Sequence, residues 1–261
     1  MNQVPVIVIN DLKMNYEEGE DILKGINVEI YPGQIIGYIG PNGAGKSTTV
    51  KILLGIIENY RGKIEIFGKD ISKDQIAYKR RIGYVPETAE IYDHLTAYEY
   101  LTFIGEVYGL EAKTVEEKAK KLMGLFGIVE HFYSRISSYS KGMKQKLLII
   151  ASLLHNPDIL FLDEPLSGLD ANSVMVFKEI LSKLSKEGKT IFYSSHIMEV
   201  VEKISHRILL LNNGQIVADG TFEELKEKSR EGSLEEIFNQ LTGFDKHKEI
   251  ADEFIRTLKE V

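Results

Sequence analysis

The sequence predicts an α/β fold in which a parallel β-sheet lies between layers of helices. Short apolar runs recur along the chain, and two of them, Ile159–Leu162 and Ile191–Tyr193, are apolar throughout. Strands of this composition are buried on both faces, as in a parallel sheet covered by helices. From about Tyr98 to Asn156 the sequence is helical and contains no strong strand. A helical segment is therefore predicted to interrupt a single α/β core.

The individual strands are predicted from β-rich runs that are bounded by turn residues. Asn212-Asn213-Gly214, which separates the last two runs, predicts a tight hairpin turn. The predicted strands are Val6–Ile9, Gly25–Ile30, Gln34–Ile39, Lys63–Phe67, Ile82–Val85, Ile159–Leu162, Thr190–Ser194, Arg207–Leu211 and Gln215–Ala218.

The chain after Gly220 is charged and is predicted to be helical. Apolar residues recur there at i, i+3, i+4 and i+7, which marks one buried helix face, formed by Leu234, Ile237, Phe238 and Leu241. A second apolar stripe follows at four-residue spacing, formed by Ile250, Phe254 and Leu258. We expect the second stripe to pack on the chain's own core, with docking on a second subunit as the alternative.

A phosphate-binding loop is predicted at Gly40-Pro41-Asn42-Gly43-Ala44-Gly45-Lys46-Ser47-Thr48, which fits the pattern G-x-x-x-x-G-K-[ST]. The loop follows an apolar run and precedes a predicted helix, whose N-terminus adds positive potential. Its glycines let the backbone curl so that N–H groups point at an anion. Lys46 is expected at the β- and γ-phosphates, and Ser47 is expected to hold Mg²⁺. The alternative is a glycine-rich turn with a chance lysine, which the strand–loop–helix order disfavours.

Two carboxylates, Asp163 and Glu164, directly follow the apolar strand Ile159–Leu162. In phosphate-loop enzymes, an acid at such a strand end holds Mg²⁺, and a second acid beside it polarises the attacking water. We therefore assign Asp163 to the metal ion and Glu164 to general-base catalysis. Without the phosphate loop, the same pair would indicate an ordinary acidic junction between a strand and a turn.

A second helix start suited to a phosphate lies at Ser140, before the apolar helix that includes Leu147–Leu154. Ser140 is a natural N-cap, and Gly142 would let a ligand approach the backbone closely. Because the first loop already cradles one nucleotide, this helix start would serve a nucleotide that another subunit holds. A capped helix start with no ligand is the alternative.

Two aromatic side chains complete the candidate site. His196 follows the strand Thr190–Ser194, at the sheet edge where α/β proteins bind ligands, and would bond the γ-phosphate and orient the attacking water. Tyr16 lies in an early polar turn and would stack on adenine. For Tyr16, an ordinary surface tyrosine is an equally good interpretation by chemistry alone.

Composition limits the class of protein. The chain has 261 residues, a net charge of 32 − 39 = −7 and no cysteine. Disulfides, thiolate metal sites and cysteine nucleophiles are excluded. The negative charge argues against a dedicated nucleic-acid binder, and we expect no nucleic-acid partner. The most apolar run, Leu147–Leu154, is far shorter than the ~20 residues that cross a bilayer, so any membrane role is expected to involve a partner chain.

In their order and spacing, these motifs resemble those of the ATP-binding cassette (ABC) family. The matching segments are Gly40–Thr48 (Walker A), Tyr139–Met143 (signature), Asp163-Glu164 (Walker B), Ser167–Asp170 (D-loop) and His196 (switch histidine). The resemblance covers residues 4 to 220 and places Tyr16 at the family's adenine-stacking position. It implies a P-loop NTPase (RecA-like) core with a parallel sheet, an N-terminal antiparallel β subdomain and an inserted α-helical subdomain.

The resemblance also implies boundaries and contacts. The ATP-binding core would comprise residues 1–88 and 157–220, the helical subdomain with the signature 89–156, and a C-terminal helical extension 221–261. Two cassettes would close head to tail on two ATP molecules. ATP would contact Tyr16, Gly40, Asn42, Gly43, Ala44, Gly45, Lys46, Ser47, Thr48 and Glu87 of one chain, and Ser140 and Gly142 of the other. Mg²⁺ would be held by Ser47, Asp163 and Glu87.

The signature departs from the family pattern at one informative position. The family usually has Leu-Ser-Gly-Gly-Gln, whereas this chain has Tyr139-Ser140-Lys141-Gly142-Met143. Ser140 and Gly142 are kept, so phosphate contact is still expected. Lys141 adds a cation for which the resemblance offers no target.

Glu87 is a second departure. It follows Val85-Pro86 at the position where the family usually has a glutamine that touches Mg²⁺ and the water and senses the membrane partner. Glu87 is still expected to bind Mg²⁺ directly or through water, while it adds negative charge beside Glu164. Both departures resemble the branch that serves two-component (ABC-2 type) exporters.

The function that the resemblance implies is an ATP-hydrolysing subunit of a transporter, in the export direction. Its partners would be a second ABC ATPase subunit, identical or different, and an integral membrane permease, which would hold it at the cytoplasmic face of the cell membrane. The segment Ile91–Thr96 would form part of the groove that grips a cytoplasmic helix of the permease. One alternative is a soluble ABC ATPase, such as one for cluster assembly. A phosphate-loop kinase is another, but it leaves Ser140–Gly142 and His196 unexplained.

Overall fold

The computed structural model describes residues 3–16, 19–73, 75–88, 91–243 and 247–259. The strands within these ranges are β1 (Ile7–Met14), β2 (Leu23–Ile30), β3 (Ile35–Ile39), β4 (Arg61–Ile66), β5 (Lys69–Asp70), β6 (Ile82–Val85), β7 (Ile159–Asp163), β8 (Thr190–Ser194), β9 (Arg207–Asn212) and β10 (Gln215–Gly220). The α-helices are α1 (Lys46–Leu53), α2 (Gln75–Lys79), α3 (Ala97–Val107), α4 (Ala112–Leu125), α5 (Lys141–Leu153), α6 (Ala171–Lys186), α7 (Met198–Ile204), α8 (Phe222–Ser229), α9 (Leu234–Thr242) and α10 (His247–Leu258).

The main sheet has the strand order β10-β9-β3-β8-β7-β6. Its strands from β9 to β6 are all parallel, and β10 joins the edge antiparallel to β9. Every residue of β3 and β8 is buried, as the apolar composition predicts for strands between two helical layers. Asn213 (φ 47°) and Gly214 (φ 79°) form the two-residue hairpin turn that was predicted between β9 and β10. The parallel α/β core is thus confirmed.

The N-terminal part contributes a second, antiparallel sheet with the order β2-β1-β4-β5. Buried residues alternate with more exposed ones along β2, as expected for a strand with one covered face. Its apolar side chains pack together with those of α1 and with one face of β3, β7, β8 and β9 in a common core cluster. The antiparallel subdomain is therefore part of the framework that carries the loop before α1.

Helices α3 to α5 and two short 3₁₀ helices lie between β6 and β7. Thr96 and Glu99 form a capping box at the start of α3, and Ser140 caps α5. The apolar side chains of α5 are buried in a cluster that also contains residues of β6, β7 and β8. Residues 89–90, where the helical insertion is predicted to begin, lie outside the described ranges.

The C-terminal part follows the predicted pattern in α9 but not in α10. Leu234 and Ile237 are fully buried, and Phe238 and Leu241 pack partly buried against the same core. By contrast, the apolar side chains of α10 are exposed, Ile250 by 54%, Phe254 by 64% and Leu258 by 62%. The expectation that this stripe packs on the chain's own core is wrong, because α10 as described lies away from that core.

Among the helices of the described ranges, none combines the length and the apolar character that crossing a membrane requires.

Candidate active site

A cleft of about 310 Å³ opens at the carboxyl ends of the parallel strands β3, β7 and β8. It brings together twelve of the predicted site residues and one that was not predicted, Ile22. The lining residues are Tyr16, Ile22, Asn42, Gly43, Ala44, Gly45, Lys46, Ser47, Thr48, Glu87, Asp163, Glu164 and His196. Ligands of open α/β sheets bind at this edge, so the topology itself places the cleft.

The loop between β3 and α1 forms the floor of the cleft. Gly43 (φ 79°) and Gly45 (φ 104°) both have left-handed backbone conformations, which glycine adopts without the steric penalty of a side chain. Lys46 is the first residue of α1, and its ammonium group donates to the carbonyl oxygens of Gly40 (2.6 Å) and Pro41 (3.1 Å). The N-terminus of α1 is therefore aimed into the cleft with its lysine folded back over the loop.

Lys46 lies in an electrostatic environment dominated by carboxylates. Burial lowers the pKa of Lys46, while the charges of Asp163, Glu164 and Glu87 act in the opposite direction. All three carboxylates line the cleft together with Lys46. A polyphosphate would place negative charge beside the ammonium group, so the cationic form would be favoured further.

Asp163 is positioned by the register of the two strands that carry the acids. Asp163 at the end of β7 is directly paired with Ser194 at the end of β8. The Ser194 hydroxyl donates to Asp163 Oδ1 over 2.5 Å. One carboxylate oxygen is thereby oriented by the protein, and the side chain lines the cleft as a possible ligand of a hard cation.

Glu164 is held by the segment that follows β8. The Ser195 hydroxyl donates to Glu164 Oε2 (3.1 Å), and the His196 backbone N–H donates to Glu164 Oε1 (2.6 Å). Glu164 itself has a left-handed backbone (φ 46°), an uncommon conformation for a residue with a side chain and one that recurs at functional sites. The His196 ring, which is exposed, has its Nε2 3.7 Å from Glu164 Oε1.

Two opposing effects set the proton affinity of Glu164. Burial raises its pKa above the ordinary value for glutamate, and the hydrogen bonds from Ser195 and His196 lower it. Burial is the larger effect, so the net pKa is raised. A carboxylate whose pKa lies closer to neutrality is a better proton acceptor for an attacking water.

Tyr16 lies at the mouth of the cleft, where 59% of its surface is exposed. Its hydroxyl group is 3.2 Å from Thr48 Oγ1, in the first turn of α1. An exposed ring beside the phosphate loop is available for stacking, and it is also what an ordinary surface tyrosine would present.

Ser140 and Gly142 are not among the residues that line this cleft. Ser140 Oγ accepts the Met143 N–H over 3.3 Å and so caps α5 as predicted. A Cβ on Gly142 would lie only 2.5 Å from the carbonyl oxygen of Gly168, so here glycine permits close contact with the D-loop of the same chain. The contact with Gly168 therefore explains a glycine at position 142 without any ligand, in addition to the predicted approach of a phosphate.

Several contacts that tie α5 to the segment after β7 were not predicted. The buried side chain of Gln145 donates to the Pro165 carbonyl (3.1 Å), and Lys146 pairs with Asp170 (3.0 Å). The roles of Ser194 and Ser195 as donors to the two acids were also missed. The signal for the serines was available, since polar residues at the ends of adjacent parallel strands meet at one edge.

The donors in the cleft suit Mg²⁺ bound together with a polyphosphate. Ser47, Asp163 and Glu87 supply hydroxyl and carboxylate oxygens, the ligands that this cation prefers. In the described part of the chain, no cluster of three or more metal-binding side chains forms a self-sufficient site. Mg²⁺ is commonly bound by one or two carboxylates plus substrate phosphates, so this donor set fits.

Comparisons with known proteins show what this chain is similar to. The family model described as ABC transporter matches residues 23–167. The chain is 34% identical over 238 residues to the ABC transporter ATP-binding protein NatA of Bacillus subtilis, covering 89% of this chain and 96% of NatA. It is also 34% identical over 227 residues to the bacitracin transport ATP-binding protein BcrA of Bacillus licheniformis, covering 86% of this chain and 72% of BcrA. A solved structure described as the ATP-binding subunit of an ABC transporter superposes with a TM-score of 0.84 at 31% identity, covering 91% of this chain and 99% of that one.

Proposed function

The chain belongs to the ABC transporter family as an ATP-binding and ATP-hydrolysing subunit, and we propose that two such subunits close around two ATP molecules to drive a separate membrane subunit. The observation that carries this proposal is the division of the site. The cleft contains the phosphate loop and both acids, whereas the capped start of α5 lies outside it. We infer that a second subunit supplies the start of its α5 to this cleft and so completes the site.

Within one subunit, we assign roles by chemistry and position. The backbone of Gly40–Thr48 and the ammonium group of Lys46 hold the phosphates. Ser47, Asp163 and Glu87 hold Mg²⁺, which stabilises charge on the phosphates when bound. Glu164 accepts a proton from the attacking water, and its raised pKa favours that step. His196 contacts the γ-phosphate, and Tyr16 stacks on the adenine.

The second half of each site comes from the partner subunit. Ser140 and the backbone around Gly142 lie at the N-terminus of α5, a position with free N–H groups and positive potential. Placed against the γ-phosphate of the other chain's ATP, they make that phosphate the bridge of the dimer. Loss of the γ-phosphate after hydrolysis removes the bridge and lets the subunits separate.

ATP drives closure only through its higher affinity for the closed dimer. Shifting an equilibrium from 1:99 to 99:1 requires a preference of about 5.5 kcal/mol. Two shared triphosphates, each contacted by charged groups and helix N-termini, are a reasonable source of that energy.

The decisive test is the Glu164→Gln variant, which keeps the size and polarity of the side chain but removes the proton acceptor. We expect ATP hydrolysis to slow by roughly 10²–10⁴ and an ATP-bound dimer to accumulate. Size-exclusion chromatography with and without ATP measures the dimer, and phosphate release measures the rate. Glu227→Gln, an exposed residue of α8, is the matched control. A Glu164→Gln protein that stays monomeric and turns over at the normal rate contradicts the proposal.

We further propose that the subunit sits at the cytoplasmic face of the membrane, bound to the permease through the segment around Ile91–Thr96. An exposed aromatic patch supports this: Tyr92 is 54% exposed and Phe103 is 47% exposed, with their ring centroids 6.3 Å apart. Similarity to BcrA, whose name specifies bacitracin transport, supports a transport role. The two departures from the family pattern, Lys141 and Glu87, support the exporter branch.

This docking site is tested by co-purification with the membrane fraction of the native host. Tyr92→Glu and Phe103→Glu place a charge in the patch without disturbing the buried core. We expect both variants to lose membrane association while they still bind ATP. Leu125→Glu, at the 76% exposed end of α4, is the control and should stay associated. Unchanged association of both patch variants would show that the permease docks elsewhere, and absence of the parent protein from membranes would favour a soluble ABC ATPase.

A further inference from the structure

The cleft described above has an excess of negative charge. Three carboxylates line it, those of Glu87, Asp163 and Glu164, and Lys46 is the only lysine among the described lining residues. ATP adds several more negative charges, which bound Mg²⁺ offsets only in part. Further positive charge from a second subunit would therefore stabilise the closed site.

Three lysines occupy the first two turns of α5, and they differ in whether their charge is already paired. Lys144 Nζ lies 2.8 Å from Asp93 Oδ1, and Lys146 Nζ lies 3.0 Å from Asp170 Oδ2. Lys141 is exposed and makes no ion pair with any described residue. Among these three lysines, Lys141 alone has its charge available to a partner subunit.

The position of Lys141 is set by the D-loop of its own chain. A Cβ on Gly168 would lie 3.1 to 3.5 Å from Cγ, Cδ and Cε of Lys141, so the stem of the lysine runs along this glycine. Lys141 also stands between Ser140 and Gly142, the two residues placed at the partner's ATP. The stem is thus supported while the ammonium group stays free at the half-site.

We propose that Lys141 acts in trans: its ammonium group faces the triphosphate held by the partner subunit and compensates the charge of the partner's Glu87. This inference rests on the proposed function, because it requires the shared ATP site. The inference also links the two departures from the family pattern, because the charges that they add have opposite signs. Glu87 adds one negative charge to the cleft in the position of a neutral glutamine, and Lys141 adds one positive charge in the position of a glycine.

The electrostatic reasoning gives a specific coupling. A charge-assisted contact that is excluded from solvent is stronger than the same contact on an open surface. Neutralising Lys141 alone leaves the negative charge of Glu87 uncompensated in the closed dimer. Neutralising both residues restores the charge balance, so the loss of Lys141 is then less costly. Such non-additivity distinguishes compensation from two independent effects.

The experiment measures ATP-dependent dimerisation in the Glu164→Gln background, where hydrolysis is slow. Analytical ultracentrifugation gives the ATP concentration at half-maximal dimer for the parent, Lys141→Met, Glu87→Gln and the combined variant. Methionine keeps an unbranched stem along Gly168 and removes the charge. We expect Lys141→Met to raise that concentration about tenfold when Glu87 is intact and by clearly less when it is combined with Glu87→Gln. Lys121→Met, an exposed lysine of α4, should change nothing.

The outcomes are distinguishable. Equal effects of Lys141→Met with and without the Glu87→Gln substitution overturn the compensation, as does the absence of any effect of Lys141→Met, and in both cases the shared-site function stands. If the Glu164→Gln parent itself fails to dimerise with ATP, the proposed function fails and this inference fails with it. We also expect higher salt to weaken dimerisation of the parent, and to weaken that of Lys141→Met less. Such a difference would further support an exposed cation that acts across the interface.

Discussion

At the residue scale, the site depends on how neighbouring groups adjust one carboxylate. Burial raises the pKa of Glu164, and donors from Ser195 and His196 keep its charged form accessible. The sequence predicts Glu164 as the general base from its place at the end of an apolar strand beside Asp163. The serine donors also lie at the end of a buried strand, but their contact with the acids depends on the parallel pairing of β7 with β8, which was not predicted. The prediction for Glu164 uses residues within one motif, whereas the contacts between motifs required the order of the strands in the sheet.

Ser195→Ala tests this balance through the pH dependence of ATP hydrolysis. The variant removes a hydrogen bond that favours the charged form, so the pKa of Glu164 rises further above its ordinary value. A general base works only when deprotonated, and a higher pKa means that activity is lost at a higher pH on acidification. We expect the acidic limb of the rate profile to move to higher pH, with the smallest change in rate at alkaline pH. A profile that keeps its shape and only decreases in height would contradict this role of Ser195.

At the element scale, local signals predicted helix starts and turns well. Ser140 caps α5 and Asn213-Gly214 forms the hairpin turn, because each uses chemistry that is local in the sequence. The exposure of α10 was not predicted. Its four-residue apolar spacing specifies an amphipathic helix but not the surface that covers it.

The link between α5 and the segment after β7 is a further element-scale feature. Gln145 is buried and donates to the carbonyl of Pro165, which directly follows Glu164, the proposed general base. Gln145→Leu preserves the approximate volume but removes the donor, so we expect a loss of about 1–3 kcal/mol in the free energy of unfolding. Urea denaturation followed by circular dichroism measures it. We also expect slower hydrolysis, because Glu164 adjoins this segment.

The matched control for that prediction is Ser152→Ala, also buried in α5. The Ser152 hydroxyl donates to the Ile149 carbonyl within the same helix (2.8 Å), so this hydrogen bond does not link α5 to another element. We expect this variant to unfold at nearly the same urea concentration as the parent and to hydrolyse ATP normally. Equal losses in both variants would mean that the bond to Pro165 has no special importance.

At the scale of the whole molecule, the fold places Ser140 outside the cleft that contains the phosphate loop. The parallel sheet gathers the phosphate loop, the acids and His196 at one edge, and the helical insertion between β6 and β7 carries Ser140 elsewhere. The sequence predicts this separation from chemistry alone. The phosphate loop already cradles one nucleotide, so the helix start at Ser140 would serve a nucleotide that another subunit holds. Ser140 does not line the cleft, and its role at the nucleotide of a second subunit stays a prediction.

Complementation between two inactive variants tests whether each site is shared. Lys46→Ala disables the phosphate loop, and Ser140→Arg places a bulky side chain at the start of α5, so each homodimer has two defective sites. In a mixed dimer, one site combines both defects and the other combines the intact phosphate loop of the Ser140→Arg chain with the intact Ser140 of the Lys46→Ala chain. We expect mixing to restore activity up to one working site per mixed dimer, measured as ATPase rate against mixing ratio. Recovery of two equally active sites, or full activity in either variant alone at high dilution, would show that a single chain contains the complete site.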